Sequence, residues 1–275
     1  MYADDGNASP QPAVAAVARQ QWWMFATAFL AVDVLVVGGY LMHLTADGPG
    51  DPGLTAFSHP RWNGDVDGSV AEMAGQLQLL VTVVMLVFVA RLRRAAIYLA
   101  WALILTAALL DDHLMLHELW GAAIAARWGL PEVAGLRPQD LGELAVWAGL
   151  ALVLGAVLII AHLRAAPGDR RRSMILLALM GLLAIFAVVV DMAHIGLADA
   201  TPPVVDKVLF IVETAGELVP LTLILMAVHR FSLPGTPTST AWSGHRLDET
   251  LPRESASADP HSITTQSPAA TPGTR

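Results

Sequence analysis

The sequence predicts an all-α fold: a polytopic integral membrane helical bundle with six transmembrane helices. Composition points there first. Hydrophobic residues make up 55% of the 275-residue chain and charged residues only 15%, against roughly 25% charged in soluble domains. Six apolar segments are the second observation, each long enough to cross bilayer hydrocarbon, which takes about 20 residues at ~1.5 Å of rise apiece. The third is that the connections between them alternate in charge.

The first span is expected over Trp22–Leu44. It is too long for a cleavable signal peptide, carries Asp33 too centrally, and follows no basic stretch. Ser69–Ala90, Ala95–His117, Leu141–His162, Ser173–Leu197 and Val205–His229 follow as spans two to six. Residues 1–20 and the Ser/Thr/Pro-rich tail 232–275 lack the apolar content to fold and are expected to be disordered, leaving 21–231 as the bundle. The loop motif NGDVDG resembles a calcium loop only in part: counted from Asn63, its twelfth position is Ala74 rather than glutamate.

One set of connections is basic: RLRR at 91–94, Arg164 with GDRRR at 168–172, and His229–Arg230. The other is acidic or mixed: GDVDG at 64–68, the loop 118–140, and DATPPVVD at 199–206. The positive-inside rule assigns the basic set to the cytoplasm. A multi-pass protein of the cell membrane with both termini cytoplasmic is therefore expected.

Cysteine is absent. That excludes disulfides, thiolate metal sites, iron–sulfur clusters and cysteine nucleophiles. The net charge of −8 is spread over loops, segment ends and tails, with no basic footprint for nucleic acid. Any metal would be held by His, Asp and Glu, a donor set that suits iron, manganese or zinc.

Counting each span from its basic end brings ionisable residues to one level. Asp111, Asp112, His113, His117 and Glu118 arrive on the third span, Asp191 and His194 on the fifth, Glu72 on the second and Glu143 on the fourth. Glu213 and Glu217 lie about one and two turns below it on the sixth span, and His43 ends the first at the same height. The cytoplasmic halves carry no ionisable residue, and only Asp33 reaches mid-bilayer. Charges in spans cost at least ~2.5–3.5 kcal/mol each and mark function by default. The expected site is thus an outward-facing polar layer above an apolar floor.

Spacing suggests the chemistry. Residues three or four apart share a helix face, which pairs His113 with His117, Asp191 with His194, and Glu213 with Glu217. Carboxylate-bridged two-metal sites in helical bundles use such inventories, including a carboxylate–x–x–His element that DMAH at 191–194 supplies. The third span offers no such element. Three histidines, His113, His117 and His194, would alternatively hold one zinc with an open position. The candidate metal ligands are Glu72, Asp111, Asp112, His113, His117, Asp191, His194, Glu213 and Glu217, for one or two ions, with Glu217 also the candidate proton acceptor.

Simpler roles are expected elsewhere. Glu143 reads as a water-facing interface residue, His43 as a headgroup contact, and Trp22, Trp23, Trp120 and Trp128 as an aromatic belt. Asp33 reads as a helix-packing hydrogen bond. The functional expectation is a metal-dependent membrane enzyme, either a hydrolase or a di-metal oxidoreductase, acting on a membrane lipid or other apolar small molecule. The alternatives are a proton- or ion-coupled transporter and a non-catalytic metal sensor or assembly factor.

Overall fold

The computed structural model describes residues 12–46, 56–64, 66, 68–197 and 200–233. Residues 1–11, the tail beyond 233, and Asp65, Asp67 and Asp199, for which the sequence also carries expectations, lie outside the described residues. Among the described residues the chain is helical, with one isolated bridge between Val133 and Leu136 and no strand. Among the described residues six helices are long and apolar enough to cross a membrane: Arg19–Thr45, Val70–Arg93, Ala96–Leu114, Pro138–Arg164, Pro167–Leu197 and Val204–Ser232.

α1 runs over Pro12–Ala46. Its first turns occupy residues 12–20, which were expected to be unstructured; Ala and Val dominate that stretch, and alanine has the highest helix propensity. A single 3-10 turn at Pro60–Trp62 follows, and its Trp62 ring fills the space that a side chain at Gly39 would need. α2, Val70–Arg93, starts at an N-cap, Ser69, whose hydroxyl accepts from the Glu72 N–H, and ends with Arg94 in the left-handed region at φ 51°.

The third span is shorter than expected. α3 covers Ala96–Leu114 and stops at Met115, a left-handed residue at φ 50°, and α4 restarts at Leu116 and runs to Trp128. α5, Pro138–Arg164, begins with proline in its first turn, where a missing N–H costs nothing. α6, Pro167–Ala184, passes through a π-helical segment, Ile185–Val190, into α7, Asp191–Leu197. α8 covers Pro203–Ser232 with Pro220 inside it.

α2 lies between α3 and α8, α1 leans on α8, α6 packs on α8, and α4 packs on α5. The α4–α5 contact is close enough that a Cβ on Gly142 would run into the Gly121 carbonyl. The apolar core sits toward one end, built from Leu86, Val89, Tyr98, Trp101, Leu105, Leu176, Ile224 and Val228. Polar ties close that end: Arg93 Nη2 donates to the Phe231 carbonyl at 2.7 Å, and Tyr98 Oη donates to Asp169 at 2.7 Å. Arg172 Nη1 also donates to Asp169, at 3.1 Å. This is the arginine end. The histidines and carboxylates gather at the other, the acid end.

Candidate His/carboxylate site

The left-handed residue at Met115 decides the geometry of DDHLMLHE. Because the helix breaks there, His113 and His117 do not share a continuous face, contrary to the four-residue spacing. The chain instead folds back, and His117 Nδ1 lies 2.9 Å from Asp111 Oδ2. A carboxylate oxygen of an ionised Asp accepts, so Nδ1 carries the proton and Nε2 keeps the lone pair in the neutral ring. The ring leans on Trp147, at 5.6 Å between centroids.

Asp111 is 2% exposed, and its second oxygen, Oδ1, is buried without a hydrogen-bond partner among the described residues. A buried carboxylate oxygen left bare is costly.

His113 points the other way, to α2. Gln76 Nε2 donates to Glu72 Oε1 at 2.7 Å and to Asp112 Oδ2 at 3.0 Å. Two acceptor-only partners fix the orientation of that amide, so Gln76 Oε1 faces His113 Nδ1 at 3.2 Å as an acceptor. His113 Nε2 is then its lone-pair nitrogen too. Asp112 is within electrostatic reach of His117, Asp111 and His113. Gln76 was not singled out as a site residue; its signal was a carboxamide in an apolar run, one turn below Glu72.

Glu72 has a local role. It stands three residues after the N-cap Ser69, and its Oε2 accepts from the Gly68 N–H at 2.7 Å. Both of its oxygens are thus occupied in starting α2.

The second histidine cluster stands on the other side of the layer. His194 Nδ1 lies 3.0 Å from Glu213 Oε2, and its Nε2 lies 3.0 Å from Asp206 Oδ1. With both nitrogens facing carboxylates the ring is arranged as an imidazolium tie between α7 and α8, and no lone pair is presented. Asp206 had been read only as a loop acid. Asp191 shares charge contacts with Glu213, Glu143 and His194. Glu217 neighbours Glu213, Asp112 and Asp191 electrostatically, joining the two halves of the layer. Gly216, between the two glutamates, makes room for the Phe186 ring from the π-helical segment rather than for another backbone.

Glu143 and His43 differ from expectation. Glu143 is buried rather than facing water, its side chain laid against Gly121 and accepting from Gln139 Nε2 at 2.8 Å. His43 is also buried, with Nδ1 2.6 Å from the Phe57 carbonyl. Near Glu143, Arg137 grips Asp140, which is 0% exposed, through Nη2 at 2.7 Å and through its own backbone N–H at 2.7 Å. The hydrogen-bonded Asp140 carboxylate holds the Arg137 guanidinium above the ordinary arginine range. That arginine is therefore committed and does not offset the remaining acids.

Asp33 makes the packing contact expected of it, joining α1 to both α2 and α8. A shallow depression of about 400 Å³ opens beside the helix break, lined by Leu114, Met115, Glu118, Leu119 and Gln139. Among the described residues, no three His, Asp or Glu side chains converge at metal-binding distances.

The family described as "Domain of unknown function (DUF8692)" matches residues 24–231. The chain belongs to that family. The match takes in the bundle from the first turn of Trp22–Leu44 to the last turn of α8, so every site residue named above lies within it. No curated protein and no solved structure matches the chain.

Proposed function

We propose that this is an integral membrane protein whose acid end faces the cell exterior and binds a divalent metal, iron, manganese or zinc, in the service of an enzyme reaction. The single observation that carries the reading is the Asp111–His117 pair. A metal-ligating histidine nearly always donates its other N–H to a carboxylate or carbonyl. Asp111 gives His117 that partner on Nδ1, at 2.9 Å, and leaves Nε2 free. The bare Asp111 Oδ1 supports the same reading, because a cation is one of the few things that would satisfy it.

The ligand set begins with His117, His113, Asp111 and Asp112, with Glu217, an electrostatic neighbour of Asp112, the candidate general base. Glu72, Asp191, His194 and Glu213 join only if they leave their present partners. The metal would polarise a substrate oxygen or activate water. An apolar or lipid-like substrate fits a site bordered by the apolar side chains of Leu114, Met115 and Leu119.

The orientation rests on the clustering of arginines at the opposite end. Elemental analysis of the detergent-purified protein tests the metal. One zinc per chain favours a hydrolase, and about two irons or manganeses favour redox chemistry. A His117→Ala variant is expected to lose most of the bound metal. Metal-free wild type, unaffected by chelators, sinks the reading and turns attention to proton- or ion-coupled transport.

A further inference from the structure

Asp33 lies well below the acid layer, in a polar contact that α1, α2 and α8 share away from their ends. It is 4% exposed, and its partners Gln78 and Thr222 are 1% and 0% exposed. Gln78 Nε2 donates to Asp33 Oδ1 at 2.6 Å, and Thr222 Oγ1 lies 2.6 Å from Asp33 Oδ2. No arginine, lysine or histidine of the described residues is paired with it, and its polar neighbours are these two neutral side chains. On α8 the nearest titratable group toward the acid end is Glu217, about 7.5 Å along the axis from Thr222. Gln78 Oε1 is buried without a partner.

A carboxylate in this position carries an unbalanced charge in a dry interior, where isolated ions cost several kcal/mol even after relaxation. The two partners differ in what they permit. An amide N–H only donates, so Gln78 holds Oδ1 as an acceptor. A hydroxyl donates or accepts, so the Thr222 contact reverses by rotation of a single O–H. A distance of 2.6 Å suits O–H···O⁻ from threonine to carboxylate. It equally suits a carboxylic O–H donating to Oγ1, with the threonine hydroxyl turned to the carbonyl four residues earlier on its own helix.

We infer that Asp33, Gln78 and Thr222 form a reversible proton-binding site inside the bundle, separate from the His/carboxylate layer. The proton bonds to Asp33 Oδ2 and neutralises the carboxylate, and no heavy atom has to move. Gln78 fixes which oxygen takes the proton. Glu217 is the acid best placed to exchange it with the acid end, through water entering between α2 and α8.

Infrared difference spectroscopy of the full-length protein in lipid, titrated from alkaline to acidic pH, reads the site directly. The wild type is expected to gain a carboxylic C=O band that Asp33→Asn lacks. Thr222→Val, close in shape, removes the donor to the ionised form but not the packing, so the midpoint of that band should rise by about one to two pH units, a tenfold to hundredfold tighter proton. Two results overturn the inference: a band that belongs to Asp33 but stays constant across the whole range, which makes it a permanently protonated packing contact, or a titrating spectrum that Asp33→Asn leaves unchanged. If Asp33→Asn does not fold, a Thr222→Val midpoint identical to the wild type overturns it as well.

Discussion

His117 and Asp111 meet across a helix break: Nδ1 and Oδ2 are 2.9 Å apart although the two residues belong to different helices, with the left-handed Met115 between them. Asp111 is the buried partner and His117 the partly exposed one. The aspartate therefore orients the imidazole, not the reverse.

That asymmetry separates two carboxylates of the same layer. Asp111→Asn should lower metal affinity about 10–100-fold, the usual effect of removing a carboxylate behind a ligating histidine. Glu72→Ala should leave metal content alone and lower stability by about 1 kcal/mol, because Glu72 serves the start of α2 through Gly68 and Gln76. Isothermal titration with zinc alongside thermal unfolding in detergent checks both. Equal metal loss in the two variants would make Glu72 a ligand.

The crossing of α4 and α5 is set by two glycines. Gly142→Ala forces a methyl into the Gly121 carbonyl, and overpacking of this kind costs typically 1–3 kcal/mol. The same shift lifts Glu143 off Gly121. A fall in unfolding temperature is expected together with increased reactivity of Glu143 toward a carboxylate-modifying carbodiimide. Gly129→Ala controls for the loss of glycine as such, since nothing lies within 4 Å of its Cβ position, although its φ of 60° carries a strain of its own.

Among the described residues three non-glycine residues stand at positive φ: Arg94, Met115 and Ala134. Left-handed backbone costs an L-residue about 1–2 kcal/mol, which glycine does not incur. Ala134→Gly should raise stability by about 1 kcal/mol, with only an exposed methyl removed. Met115→Ile should lower it by at least as much, since a β-branched side chain fits this region worst. Unfolding by graded denaturant compares the two, and a stabilising Met115→Ile would mean that the break is not held as described.

Most of the fold was legible because the signals are long. Each of the six apolar runs averages out local irregularity, and their expected and observed limits agree within six residues, with two exceptions in kind: α1 extends to Pro12, and α3 ends in a break at Met115. Both exceptions are physical. Alanine at 13, 15, 16 and 18 favours helix, but six apolar residues ending at Arg19 are far too few to read as a span, and the break at Met115 has neither glycine nor proline to announce it. The level of the acid layer was legible from rise per residue alone. The pairings were not: His194 finds Asp206 and Glu213 across a loop, and Gln76 finds Asp112 across two helices, contacts that periodicity along one helix cannot supply. The depth count that grouped Glu72 with the ligands passed over its place three residues after Ser69, the N-cap of α2.

The π-helical segment Ile185–Val190 has a consequence for how the chain tolerates length changes. A π-turn is one residue longer than an α-turn, so the two ends of the Pro167–Leu197 rod are out of phase by about one residue's rotation, near 100°. Below the segment, Leu176 is dialled into the core; beyond it, His194 is dialled toward Glu213. A uniform α-helix of this sequence could satisfy one of those settings and not both. The surplus residue acts as a differential between them, and a one-residue deletion within 185–190 would straighten the rod while turning His194 away from its partners.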